Sequence, residues 1–277
     1  MSMKCVTGKL RRGVAAAAVV SIAAGLAFGP VSAAITMVDT LVAKPAAAFE
    51  KGVEFPLLGL HDSKPTFIAA RVFKWTQRPD DAFVLEPTED FTVYPQLLRM
   101  GADSRKSVTI KATRPLPADA EGHYRIVLRE FDRADGTDAP PEESGAAMAM
   151  VAKPQASIPM VVRGPATLKS APLQVAGVRD TPPPKNPMAG AEMPGSLLTL
   201  YNPGQVYERI VAIAKNEQVG PGNQVLTYVL PGQRIDVGMK GLKSGDRLTV
   251  QYVIGPDAKV DWTAKTDDRK TVSFVVP

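Results

Sequence analysis

The chain has 277 residues, enough for about two domains at the usual domain size. Its 45% apolar and 22% charged residues are ordinary for a soluble globular protein. Its 25 prolines exclude a framework of long helices and favour many short strands and turns.

The first 34 residues read as a secretory signal. Lys4, Lys9, Arg11 and Arg12 form a positive start, Val14–Phe28 is a short apolar run, and Val31-Ser32-Ala33-Ala34 offers small residues for cleavage after Ala33 or Ala34. The alternative is a membrane anchor, but the run is short and alanine-rich for a span of about 20 residues. Removing the segment lowers the formal net charge from +5 to +1, because all four of its charges are positive. The basic balance therefore gives no support for a nucleic-acid partner. The only cysteine, Cys5, leaves with it, so disulfides, thiol catalysis and cysteine-ligated metals are excluded from the mature chain.

Beyond the signal, Ile35–Val42 reads as a first strand and 44–52 as a turn-rich stretch. Val53–Leu60 and Thr66–Thr76 read as a strand pair joined through His61–Pro65. Phe91–Val93 starts a strand that Pro95 interrupts, Gly101–Ser104 is a turn, and Lys106–Ala112 and His123–Phe131 are strands with β-branched or aromatic residues at alternating positions. Asp132–Gly145 is charged, proline-containing and nearly free of large apolar side chains, which marks a loop. Ala147–Val162 is apolar and extended, and Arg163-Gly164-Pro165 is the domain boundary. The second half opens with Leu168–Val178 and a proline-rich loop over 180–195. Its remaining strands are Ser196–Tyr201, Val206–Ala214, Val225–Val229, Arg234–Gly238, Arg247–Val253 and Thr271–Val276. Strands at this spacing with turns between them predict an all-β chain of two immunoglobulin-like sandwiches, 35–163 and 164–277, after a cleaved segment 1–34.

Motifs that would carry chemistry are missing. The chain has no phosphate loop, no dinucleotide fingerprint, no His-Glu-x-x-His and no Gly-x-Ser-x-Gly. Its two histidines, His61 and His123, are too few for a histidine-based triad or metal cluster. Carboxylate-only catalysis stays open on paper, since Glu86, Glu89 and Asp90, and Asp267 and Asp268, lie close in sequence, but such clusters are read as solvated faces, and the expectation is a protein that is not an enzyme and uses no cofactor or metal.

Several runs carry a family resemblance. They are Arg71-Val-Phe-x-Trp75, Leu85-x-Pro-Thr88, Val93-Tyr-Pro95 with Leu97-Leu98, and Tyr124-Arg-Ile126 with Glu130. In the second half they are Leu198-Thr-Leu-Tyr-Asn202-Pro203 and Val229-Leu-Pro-Gly-Gln-Arg234. In order and spacing the chain resembles the periplasmic pilus-assembly chaperones of the chaperone–usher pathway, most of all the archaic, spore-coat-U-like branch. It departs from the family in two places. Thr109 stands where an Arg is common, and the position of the family's cleft Lys falls at Pro159.

The resemblance implies a two-domain protein with a cleft that captures pilin subunits and delivers them to an outer-membrane usher. Such subunits are sandwiches missing one strand, and the chaperone supplies its own strand to the open groove, a form of β-augmentation. Within Ala147–Val162 the alternating residues Met148, Met150 and Ala152, then Ile158, Met160 and Val162, are the expected donors to the subunit. Alternation leaves open whether the second set faces the chaperone's own core. The cation expected to hold the subunit's C-terminal carboxylate is Lys111, with Arg71 and Lys44 as alternatives. The implied compartment is the periplasm, and the free protein is open to self-association. The competing reading is a secreted two-domain immunoglobulin-like binding or structural pilus protein.

Overall fold

The computed structural model describes residues 35–37, 41–59, 65–117, 119–131, 155–181, 195–216, 224–258 and 268–277. The first ten strands are β1 (Ile35–Met37), β2 (Val42–Pro45), β3 (Val53–Gly59), β4 (Thr66–Arg78), β5 (Asp81–Pro87), β6 (Phe91–Tyr94), β7 (Leu97–Met100), β8 (Arg105–Ala112), β9 (Gly122–Phe131) and β10 (Gln155–Arg163). They form two facing sheets. One has the order β1-β3-β8-β6, and the other runs β2-β10-β9-β4-β5 with β7 also paired to β4.

Period-two alternation builds the core between these sheets. In β4, Thr66, Ile68, Ala70 and Val72 point inward, and Val108 and Ile110 of β8 meet them from the other sheet. The N-terminal strand serves both sheets: β1 pairs antiparallel with β3, and β2 pairs parallel with the end of β10.

Three local features differ from the sequence reading. The turn-rich stretch 44–52 contains a one-turn-and-a-half helix, α1 (Ala46–Lys51), because three successive alanines favour helix and Phe49 is buried edge-on against Phe91, 5.4 Å between ring centres. Gly52 ends it at φ +102°, where a Cβ would stand 2.9 Å from the Thr109 side chain. Strands β5 and β7, absent from the sequence reading, flank β4 on its outer side at its two ends.

The second half holds β11 (Gln174–Asp180), β12 (Ser196–Tyr201), β13 (Glu208–Lys215), β14 (Gln224–Val229), β15 (Arg234–Met239), β16 (Arg247–Ile254) and β17 (Lys270–Val275). They form a three-stranded sheet, β11-β12-β15, and a four-stranded sheet, β14-β13-β16-β17. Leu198, Leu200, Ile210, Val250 and Tyr252 are among the residues of the core they share.

A third apolar cluster joins the two halves: Trp75 and Val161 of the first pack with Tyr207, Tyr228 and Leu230 of the second. Polar contacts fix its edges. The Gln77 side chain mimics a strand, its Nε2 donating to Tyr228 O and its Oε1 accepting from Leu230 N, both at 2.8 Å. Tyr207 N donates to Glu121 Oε2 at 2.9 Å, and His123 Nε2 lies 3.1 Å from the same oxygen. Asp236 N donates to Pro79 O at 3.2 Å.

Candidate partner-binding edge

The strand expected to carry function is β10. On one side it pairs with β9 along Gln155–Val162. On the other, β2 covers only Met160–Arg163, so among the described residues the backbone from Gln155 to Pro159 has no partner there. An uncovered strand edge is a template for another chain. Pro159 lies within this stretch; a proline has no N–H for a ladder and is tolerated at a sheet edge. The edge stops at Met160, where Val42 of β2 takes the pairing position.

Two parts of the sequence expectation fare differently here. Met148, Met150 and Ala152 lie outside the described residues. Ile158, Met160 and Val162 point into the first domain's own core, where at most 2% of their surface is exposed. This burial favours the alternative that the alternation left open, in which the second set serves the domain's own core. Their parity is that of Tyr124, Ile126 and Val72, which line the sandwich interior, so a subunit cannot take them without emptying the core. On the opposite face of β10 lie Ser157, which is exposed, and Pro159 and Val161, which are buried, Val161 in the cluster that joins the halves.

The register defines the outer face of this sheet. Successive rungs are Arg71–Val127–Ser157, then Phe73–Arg125–Pro159, running from β4 through β9 to β10. Arg125 on this face is the residue that sequence reasoning missed. It is only 6% exposed and has no carboxylate partner among the described residues. Its Nε donates to Ser157 Oγ and its Nη2 to Ser157 O, both at 2.7 Å. Its guanidinium lies 4.6 Å from the Trp75 ring centre and 4.8 Å from that of Phe83. Burial pulls its pKa down to about 10, with the nearby Tyr228 acting the other way. The third nitrogen, Nη1, is buried without any hydrogen bond. A buried cation with an unfilled donor is costly unless an anion completes it. The sequence signal is the otherwise apolar run Tyr124–Leu128 around Arg125, with no polar alternation; in the structure all five are buried, so both faces of β9 are covered there.

The three expected anchors sit apart from one another. Lys111 is an exposed residue of β8, in the opposite sheet, on a strand whose Val108 and Ile110 point inward. It therefore faces away from β10 across the thickness of the sandwich. Its parity with Thr109 placed it correctly on its strand, but pairing of β8 with β3 and β6 puts that strand on the far side. Arg71 is exposed on the same outer face as Arg125, one rung along and two strands, about 10 Å, from β10. Lys44 is exposed at the foot of the domain, lining a 190 Å³ pocket with Val53, Glu54, Arg163 and Pro256. Arg163 Nη2 there donates to Asp257 Oδ1 at 2.7 Å across the junction between the halves.

Among the described residues no group of three or more His, Cys, Asp or Glu could hold a metal, and no helix is long and apolar enough to cross a membrane.

The comparisons agree with this architecture. Residues 57–169 match the family described as Pili and flagellar-assembly chaperone, PapD N-terminal domain. That segment runs from β3 to just past β10, and the match bears out the resemblance read in the sequence to the chaperone–usher chaperones. Over 87–88% of its length the chain is similar in fold to chains of solved chaperone complexes. One is the CsuC–CsuE chaperone–tip adhesion subunit pre-assembly complex from the archaic chaperone–usher Csu pili of Acinetobacter baumannii, with a TM-score of 0.55 and 17% identity over 87% of this chain and 98% of that one. Another is the SafA pilin in complex with the SafB chaperone from Salmonella enterica, with a TM-score of 0.50 and 15% identity over 88% and 97%. No curated protein matches the chain.

Proposed function

We propose that this protein is a periplasmic chaperone that captures pilin subunits on the free edge of β10, stabilises them by donor-strand complementation and passes them to an outer-membrane usher. The observation that carries the reading is the edge itself: in a segment that matches the pilus-chaperone family, β10 pairs with β9 on one side, and on the other side it has no partner among the described residues from Gln155 to Pro159. Donor side chains then come from Met148, Met150 and Ala152, upstream of the part of β10 that is committed to the core. Thioether side chains suit grooves of varied shape.

The same edge locates the carboxylate anchor. A subunit strand running parallel to β10 is halted where β2 begins, at Met160. Its C-terminus then arrives beside Ser157 and Arg125, whose Nη1 is the unfilled donor. Arg71 adds positive charge one rung away, and Lys44 with Arg163 lies beyond the point where β2 closes the edge. The domains are 35–163 and 164–277, secreted behind a cleaved segment 1–34. The competing reading, a pilus subunit, would leave one sandwich short of a strand, whereas each half here buries an apolar core between two sheets of its own.

The test is co-expression in a bacterial periplasm of the tagged protein with a pilin subunit encoded beside an usher. Co-purification of a stable one-to-one complex is expected, and its loss in Arg125→Ala. A pilin that is degraded equally with and without the tagged protein overturns the reading.

A further inference from the structure

The carboxylate site has a second layer that reaches into the other half of the molecule. Nε and Nη2 of Arg125 are both bound to Ser157, which fixes the guanidinium along its edge but leaves its tilt free. The tilt is set by the two rings. Trp75 and Phe83 lie nearly parallel, 7° apart and 6.4 Å between centres, and the guanidinium contacts both. Trp75 is locked in turn: its Nε1 donates to Ala82 O at 2.9 Å, and its ring meets Tyr228 of β14 edge-on at 5.7 Å and 81°. Tyr228 belongs to the second half, and its carbonyl is held by Gln77. Phe83, by contrast, is 56% exposed on β5, which has no partner strand beyond it among the described residues.

We propose that Trp75 and Phe83 are positioning residues that aim the free Nη1 of Arg125 at the end of the β10 edge, and that Tyr228 makes this aim depend on the docking of the second domain. The inference rests on Arg125 as the carboxylate anchor. Among the described residues the second domain gives Arg125 no hydrogen bond, yet through one ring contact it decides where the platform under Arg125 sits. A guanidinium over aromatic faces keeps its in-plane donors free for an anion, which is why stacking and carboxylate binding are compatible in one arginine.

The test uses a synthetic peptide of alternating valine and threonine with a free C-terminal carboxylate, and the same peptide amidated. Binding is read by the fluorescence of Trp75 in a Trp262→Phe background, which leaves it as the sole tryptophan. The quantity measured is the ratio of the two affinities. Phe83→Leu, at an exposed site that the fold does not need, should lower the carboxylate preference about three- to tenfold. Tyr228→Leu should lower it similarly, whereas Tyr228→Phe, which keeps the ring, should retain the wild-type ratio. A purely structural role for these rings would weaken both peptides alike and leave the ratio fixed. Ratios unchanged in Phe83→Leu and Tyr228→Leu overturn the inference while leaving the anchor in place. A wild-type protein that holds both peptides equally refutes the anchor, and this inference with it.

Discussion

Glu208 gives the sharpest quantitative test of the second domain. It lies on β13 between Val229 and Ile254, is 0% exposed, and neither carboxylate oxygen has a hydrogen-bond partner. Burial raises its pKa from 4.5 to about 8, with Lys270 of β17 pulling weakly the other way. Tyr252 of β16 also faces it, and burial raises that phenol too. Because the folded pKa lies above the unfolded one, the folded domain prefers the protonated acid. Its stability is whole below about pH 4.5 and declines as pH rises towards 8. At about 1.4 kcal/mol per pH unit, roughly 3 kcal/mol is lost by pH 7. That is a large share of the 5–15 kcal/mol that holds a typical domain together.

Glu208→Gln removes the ionisation and keeps the shape and the polarity. The variant should match the wild type near pH 4.5 and exceed it by roughly 3 kcal/mol at pH 7, a rise of about 10 °C or more in the melting temperature of a domain this size. Calorimetric melting of both proteins from pH 4.5 to 8.5 provides the comparison. A difference between the two that does not grow with pH would show that Glu208 is ionised and paired in the folded protein, and the argument from its burial would fail.

Other expectations follow from the same geometry. Met160→Asp places a charge in the first core at a fully buried site and should cost more than about 4 kcal/mol, unfolding that domain in urea titrations. Met150→Asp should leave the melting curve unchanged and abolish pilin co-purification; unfolding instead would make Met150 a core residue. Gln77→Leu strands Tyr228 O and Leu230 N and should cost about 2–4 kcal/mol at the junction, splitting thermal unfolding into two transitions; a single unchanged transition would refute that role. Lys111→Glu should leave pilin capture at the wild-type level in the co-purification assay, since it lies on the far sheet; a loss there would restore it as the anchor.

The sequence was legible where one face of a strand is wet. Alternation set β3, β8, β12 and β16 to within a residue or two, because polar and apolar positions differ sharply when only one side is buried. It failed where the partner of a face is another domain. β5 carries Asp81 and Glu86 and reads as a connection, yet Leu85 packs against the cluster that joins the halves, and Ala82 packs against the second core. The same cause hid Arg125, the proposed anchor. Tyr124-Arg-Ile126 reads as scaffold because its tyrosine and isoleucine are scaffold. The arginine between them points to the opposite face, and only the cross-strand register brings it to Ser157 on the free strand. The run Ala147–Val162 alternates in two parts, broken at Lys153-Pro154 and Pro159, and the structure describes only the second, as β10. From Ile158 onward its inward side chains belong to the first core, and among the described residues only the backbone edge from Gln155 to Pro159 is open. That division, fixed at the point where β2 begins, predicts that apolar-to-polar changes upstream of Gln155 weaken capture without unfolding, and that changes at Ile158, Met160 or Val162 do the reverse.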